Sequence, residues 1–180
     1  GNAIESKFGS VQVEAVNLYE NEYESFGYWR EQFYKKVEQQ TKGKPSLLLG
    51  YSMGGRLAMD ALVNNPGMWS GGIVVGADPG LISDDARTNQ LQKDLEWARR
   101  FRIEDIQELL NEWDRLPVFY GRSNCASREI TELDSEKISH FFDVFSKARQ
   151  GNLSSLLKDR ELPPLLYISG CDDQKYTEIG

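Results

Sequence analysis

The tightest constraint in the chain is thirteen residues long: LLLGYSMGGRLAM, residues 47 to 59. An apolar run halts at Tyr51-Ser52, turns on glycines and restarts at once as a helical pattern. SLLLG (46–50) is short, continuous and apolar without alternation, which predicts a strand buried on both faces, as in a parallel sheet. RLAMDALVNNP (56–66) aligns Leu57, Ala58, Ala61 and Leu62 on one stripe, which predicts an amphipathic helix stopped at Asn65-Pro66. Between them, Gly50-Tyr51-Ser52-Met53-Gly54 fits G-x-S-x-G, a strand-to-helix turn that carries its serine in strained backbone. On this reading Gly50 and Gly54 keep side chains out of a cramped bend, and Gly55 lets the helix approach the sheet.

Such a bend lifts the Ser52 hydroxyl above the carboxyl ends of the strands. The helix N-terminus and the Met53 N–H then face any negative charge that develops there, giving half an oxyanion hole. A hydroxyl is a weak nucleophile or base without an imidazole, which in turn needs an orienting carboxylate. Asp173 follows the apolar run PLLYISG (164–170) at the position such an acid takes, with Asp172 as the adjacent alternative. The single histidine, His140, precedes Asp173 and falls inside a predicted helix, so it reads as structural. Arg56 stands in the first turns of the elbow helix, where a cation is unfavourable unless an anion answers it.

The rest of the chain reads as α/β. VQVEAVNLY (11–19) alternates Val11, Val13, Ala15 and Asn17 on one side and is expected to be a strand. SFGYWREQFYKKVEQQ (25–40) spaces Phe26, Trp29, Phe33 and Val37 as an amphipathic helix ending near Gly43-Lys44-Pro45. GGIVVGA (71–77) and PLLYISG repeat the buried-strand character of SLLLG. From 82 to 160 the rhythm changes to three helical patterns: ARTNQLQKDLEWARRF, IEDIQELLNEW and SEKISHFFDVFSKARQ. The second aligns Ile103, Ile106, Leu109, Leu110 and Trp113. The expectation is one compact domain, with a mostly parallel core from 1–81 and 161–180 and a helical cap at 82–160 over the sheet edge where such proteins bind ligands. The chain opens GNAIESK without an initiator methionine and stops at YTEIG, so the core is expected to be incomplete at both ends.

Bulk properties narrow the partners. A formal charge of −7 argues against a nucleic-acid backbone or an anionic membrane surface, both of which need a basic face. No run approaches the length of a membrane span, and no basic, apolar leader is present, so the reading is cytoplasmic. Cys125 and Cys171 stand in no paired motif and read as free thiols, with no metal site and no cofactor implied.

GYSMGGRLAM, an apolar strand, ADPGL (77–81), Arg87, Asp94, Trp97 and LLNEWDRLPVF (109–119) together resemble 2-succinyl-6-hydroxy-2,4-cyclohexadiene-1-carboxylate synthases of menaquinone biosynthesis. The arginine after the elbow glycines, the PGL tripeptide and the Trp-x-x-x-Pro-x-Phe pattern are the most specific parts. The resemblance implies an α/β-hydrolase fold and a Ser-Asp-His triad used for an elimination rather than a hydrolysis. It implies Ser52 as triad serine, Asp173 as orienting acid and Met53 as oxyanion donor. Tyr51 and Arg56 would face the substrate, Trp113 would line the pocket from the cap, and Arg87 and Arg149 would meet further carboxylates. The partner implied is a small polycarboxylate, which guanidinium groups hold by paired, charge-assisted hydrogen bonds. The sequence departs from the family at Gln90, where a second cap arginine is usual. NLYENEYESFG (17–27) stands in place of an Asp-x-Pro-Gly-His-Gly loop, and no triad histidine follows Asp173. A serine esterase of the same fold and a non-catalytic binding domain stay open as alternatives.

Overall fold

The computed structural model describes residues 12–19, 22–119, 129 and 133–180. Its elements are α1 (Phe26–Thr41), β1 (Ser46–Tyr51), α2 (Met53–Asn64), β2 (Trp69–Val75), α3 (Asp84–Ile103), α4 (Ile106–Trp113), α5 (Ser135–Val144), α6 (Ser154–Asp159), β3 (Leu165–Ile168) and α7 (Gln174–Thr177). The strands form one sheet in the order β1-β2-β3, both pairs parallel. A parallel pair needs a crossover, and α2 supplies the first one.

Register decides which side chains share a face. Leu48 lies opposite Gly72, Gly50 opposite Val74, and Val74 opposite Tyr167. That face packs on Ala58, Met59 and Val63 of α2, with Leu153 and Leu156 alongside. The other face carries Leu47, Leu49 and Tyr51 with Ile73, Val75, Leu166 and Ile168. There Leu47 is 60% exposed, Leu49 61% and Tyr51 72%. The expectation of strands buried on both faces therefore holds for one face of β1 only, and in β3 Tyr167 alone is partly buried. Their continuous apolar pattern answers to two covered faces, and one is covered among the described residues.

The prediction for the elbow helix also needs correction. Rather than showing one apolar stripe, α2 is buried from Leu57 through Val63, because it is packed between the sheet and α1. From α1, Phe33, Tyr34 and Val37 pack against Ala61, Leu62 and Trp69. The burial includes a carboxylate, Asp60, which pairs with Arg30 at 3.4 Å and accepts from Asn64 at 3.1 Å. As expected, α2 stops at Asn65-Pro66. α1 ends at Lys42, which turns left-handed with Gly43 following.

Residues 12–17 form no strand, against the prediction for 11–19. Alternation makes a strand only where a partner takes the backbone hydrogen bonds. Here the side chains engage the helical layer instead: Tyr19 stacks on Phe141 with centroids 4.6 Å apart, Leu18 joins the Trp29 and Phe145 cluster, and Glu14 accepts from Gln40.

Between β2 and β3 the described residues are helical or irregular. α3 begins on a Ser83 cap and carries Trp97 and Phe101, which stack against Phe142 of α5. Trp113 of α4 meets Trp97 and Phe142 edge-on. Ile103 does not join the α4 stripe: it ends α3 and is exposed, while Asp105 caps α4. The third predicted helix breaks after Val144, where Ser146 caps a short 3-10 turn, Lys147–Arg149. Cys125 lies outside the described residues, and Cys171 is a free, exposed thiol.

Asp60 offers a check on this packing. Burial pushes its carboxyl above the ordinary value of 3.8, and Arg30 pulls it back only in part. A carboxyl whose pKa is raised by folding binds its proton more tightly in the native state. Its contribution is therefore whole below about 3.8 and is lost as pH rises through the folded value. Urea denaturation from pH 3.5 to 7 should show Asp60→Asn gaining stability relative to the parent as pH rises; a pH-independent difference would contradict the buried placement.

Candidate functional site

At the end of β1 the chain must reverse into α2 within one residue. Ser52 takes that turn with φ 50° and ψ −114°, a combination that L residues rarely adopt. The turn is held by two backbone bonds: the Ser52 N–H donates to the Val75 carbonyl at 2.9 Å, and the Ser52 carbonyl accepts from Arg56 N–H at 3.1 Å. The Ser52 hydroxyl makes no capping bond to the helix and is exposed. Met53 opens α2 directly after Ser52, so its N–H is among the amides at the helix start that have no intrahelical acceptor.

Crowding explains two of the three glycines. A Cβ on Gly50 would collide with the Gly54 carbonyl and come within 2.6 Å of the Gly55 nitrogen. One on Gly55 would come within 2.6 Å of the Ala77 Cβ and 3.2 Å of Val74. Gly54 has open space where a side chain would go, contrary to the expectation that the pattern's second glycine is needed for clearance. In this chain it is Gly55 that brings α2 down onto the sheet.

Arg56 extends from α2 to the segment after α5. Its Nη1 donates to the Gln150 Oε1 at 2.7 Å and its Nη2 to the Phe145 carbonyl at 3.4 Å. Both acceptors are neutral, and no carboxylate lies within ion-pair distance of Arg56 among the described residues. Burial pushes the guanidinium below the ordinary arginine range, opposed by the more distant Asp78 and Asp94. Arg87, from α3, donates to the backbone carbonyl of the same Gln150 at 3.1 Å. Two guanidinium groups from separate elements thus meet at one residue.

The loop after β2 explains the PGL tripeptide. Gly80 sits at φ 121°, and a Cβ there would come within 2.7 Å of the Gly151 carbonyl. The segment after Gln150 lies directly on it: Leu153 N–H donates to the Pro79 carbonyl at 2.8 Å and Asn152 to the Gly80 carbonyl at 3.3 Å. Asp78 closes its own turn by accepting from Gly80 N–H and pairs with Lys147 and, at 3.6 Å, with Lys175. Burial raises the Asp78 carboxyl, but the Lys147 hydrogen bond and the two ammonium charges outweigh it and hold the group below the ordinary carboxylate range.

The remaining predicted residues scatter. Tyr51 is exposed beside Ser52. Asp173 caps α7, accepting from Tyr176 N–H at 3.3 Å, and Asp172 is exposed. Trp113 stands in the aromatic cluster with Trp97, Phe119 and Phe142. Arg149 is exposed and paired with Asp143. Gln90 donates to Asp94, which also accepts from Ser146 at 2.6 Å. His140 contacts the Tyr23 carbonyl at 2.7 Å, in keeping with a structural role. Two surface concavities, one of about 330 Å3 beside Trp29 and Phe33 and one beside Tyr19 and Phe141, border neither Ser52 nor Arg56. Sequence reasoning missed Gln150 and Asp78; the Asp-x-Gly spacing of ADPGL was the one local sign of the latter.

No family model matches the chain. The chain is 32% identical over 137 residues to the 2-succinyl-6-hydroxy-2,4-cyclohexadiene-1-carboxylate synthase of Escherichia coli O1:K1, covering 74% of this chain and 54% of that protein. It spans about half the length of the curated relatives it matches. Among solved structures, MenH from S. aureus superposes with a TM-score of 0.72 at 23% identity, covering 92% of this chain and 64% of the other. A carboxylesterase from Nitrososphaera gargenis superposes at 0.57 with 16% identity, covering 99% and 69%. The chain is therefore homologous to the synthases, and its fold is that of the α/β hydrolases. Among the described residues, no helix is long and apolar enough to cross a membrane.

The elbow geometry predicts opposite outcomes for adjacent substitutions. Gly50→Ala should cost more than about 3 kcal/mol in chemical denaturation, because the obstacle is backbone, whereas Gly54→Ala should be neutral or gain up to about 1 kcal/mol of helix propensity. Ser52→Gly should stabilise by about 1 kcal/mol through relief of strain, while Ser52→Ala stays within about 0.5 kcal/mol of the parent. Equal effects at the two glycines would contradict the tight bend.

Proposed function

We propose that this chain carries the serine-bearing part of a lyase that eliminates pyruvate from 2-succinyl-5-enolpyruvyl-6-hydroxy-3-cyclohexene-1-carboxylate. The product is 2-succinyl-6-hydroxy-2,4-cyclohexadiene-1-carboxylate, in menaquinone biosynthesis. The observation that carries this reading is Arg56: a half-buried cation on the elbow helix, near an exposed strained serine, hydrogen-bonded only to neutral acceptors and with Asp78 and Asp94 beyond ion-pair distance. A buried charge left without a counter-charge is costly unless a ligand supplies one. A polycarboxylate does so; a neutral ester does not.

In this account Ser52, Asp173 and a histidine outside this chain form the triad. The histidine takes the Ser52 proton, Asp173 orients the imidazole, and the activated pair removes a proton from the cyclohexene ring. The ring C–O bond to the enolpyruvyl group then breaks, its electron pair leaves on the pyruvate enolate, and the conjugated diene remains. The Met53 N–H and the N-terminus of α2 stabilise the negative charge that develops. Arg56 and Arg87 hold substrate carboxylates as charge-assisted pairs, with Tyr51 beside them. Residues 82–160 act as the cap, and Trp113 and Arg149 are its candidate contacts to the ligand. No cofactor is needed, since the chemistry is proton transfer and elimination. The working location is the cytoplasm.

The test uses the full-length natural product. Incubation with the enolpyruvyl precursor should release pyruvate stoichiometrically, and Arg56→Ala should lower kcat/KM by about 100-fold, near 3 kcal/mol of lost charge-assisted binding. Cleavage of a p-nitrophenyl ester without pyruvate release would transfer the chain to the esterases; neither activity would favour a binding domain.

A further inference from the structure

We infer that Gln150 is a positioning residue that sets the two guanidinium groups of the carboxylate site from the cap side. This rests on the reading that Arg56 and Arg87 hold ligand carboxylates. Gln150 is nearly fully buried, at 4% exposure. Its side-chain carbonyl takes the Arg56 Nη1 at 2.7 Å, while its backbone carbonyl takes the Arg87 Nη1 at 3.1 Å. The two arginines come from α2 and α3, so one residue fixes the core arginine relative to the cap arginine.

The amide can sit only one way round. Guanidinium is a donor without acceptor capacity, so rotating the amide would set its NH2 against the Arg56 donors. With the carbonyl held toward Arg56, the Nε2 is buried without a partner among the described residues. A residue kept only for stability would be expected to satisfy both ends of its amide, because an unpaired buried donor is unfavourable. Gln150 gives up that bond and holds Arg56 with a neutral oxygen, leaving the cation's charge free for a ligand. A carboxylate at this position would hold the arginine equally well and neutralise it. The backbone supports the placement: Gly80 admits the segment at 151–152 at close range, and Leu153 and Asn152 tie it to the loop after β2.

The test titrates succinate into the isotopically labelled full-length protein and follows the Nε–H signals of Arg56 and Arg87 by NMR. In the parent, both signals should move together with one Kd. Gln150→Ala should weaken succinate at least tenfold and move the Arg56 signal toward its free position. Gln150→Glu should restore the Arg56 signal yet bind succinate at least tenfold more weakly than the parent, a separation that a purely structural role would not produce. Parent-like affinity in both variants would overturn the inference while leaving the arginine reading intact. If Gln150→Ala does not fold, separate Kd values for the two arginines in the parent overturn it. Absence of succinate binding by the parent overturns both.

Discussion

The approach of α2 to the sheet is the constraint from which the rest follows. With Gly50 at the end of β1 and Gly55 in the first turn of α2, backbone meets backbone at distances that leave no room for a methyl group. The reversal between them has to be made by a single residue, and Ser52 makes it in a conformation that would cost about 1–3 kcal/mol if it were not over-determined by its surroundings. Those surroundings are apolar and extensive: α2 is buried along most of its length between the strands and α1. Core packing therefore provides the stability that holds the hydroxyl in an exposed, uncapped position.

The same geometry determines where Arg56 goes. One turn into α2, it leaves the elbow on the side where the loop after β2 and the segment after α5 meet. This junction is polar where the two layers are each apolar. Arg56, Arg87, Gln150, Asp78 and Lys147 connect through directional bonds, and Gly80 allows the backbones to approach. Hydrogen bonds specify an orientation that greasy contact would leave free. The junction keeps one cation without a direct counter-charge while Lys147 and Lys175 are both answered by Asp78. That difference is the basis for the proposal that the site takes an anionic ligand.

Much of this was legible in the sequence, and the reasons are local. SLLLG, GGIVVGA and PLLYISG became strands because a short apolar run bounded by glycine or proline has few other solutions. The elbow was legible because backbone strain and glycine spacing are written within five residues. Other features depended on distant partners. The 12–17 segment alternates as a strand does, yet its side chains went to α1 and α5. The stripe of α2 widened to full burial because α1 packs across its outer side. The break after Val144 reflects Ser146, whose hydroxyl both caps a turn and donates to Asp94. Gln150 had no local sign at all: its partners are 94 and 63 residues away in the chain.

The central claim is that Ser52 is held in strained backbone with its hydroxyl free, and a high-resolution crystal structure of the chain measures both directly. The account predicts a positive φ near 50° at Ser52, with the hydroxyl unbonded to the α2 amides. A negative φ with the hydroxyl capping the helix would contradict it.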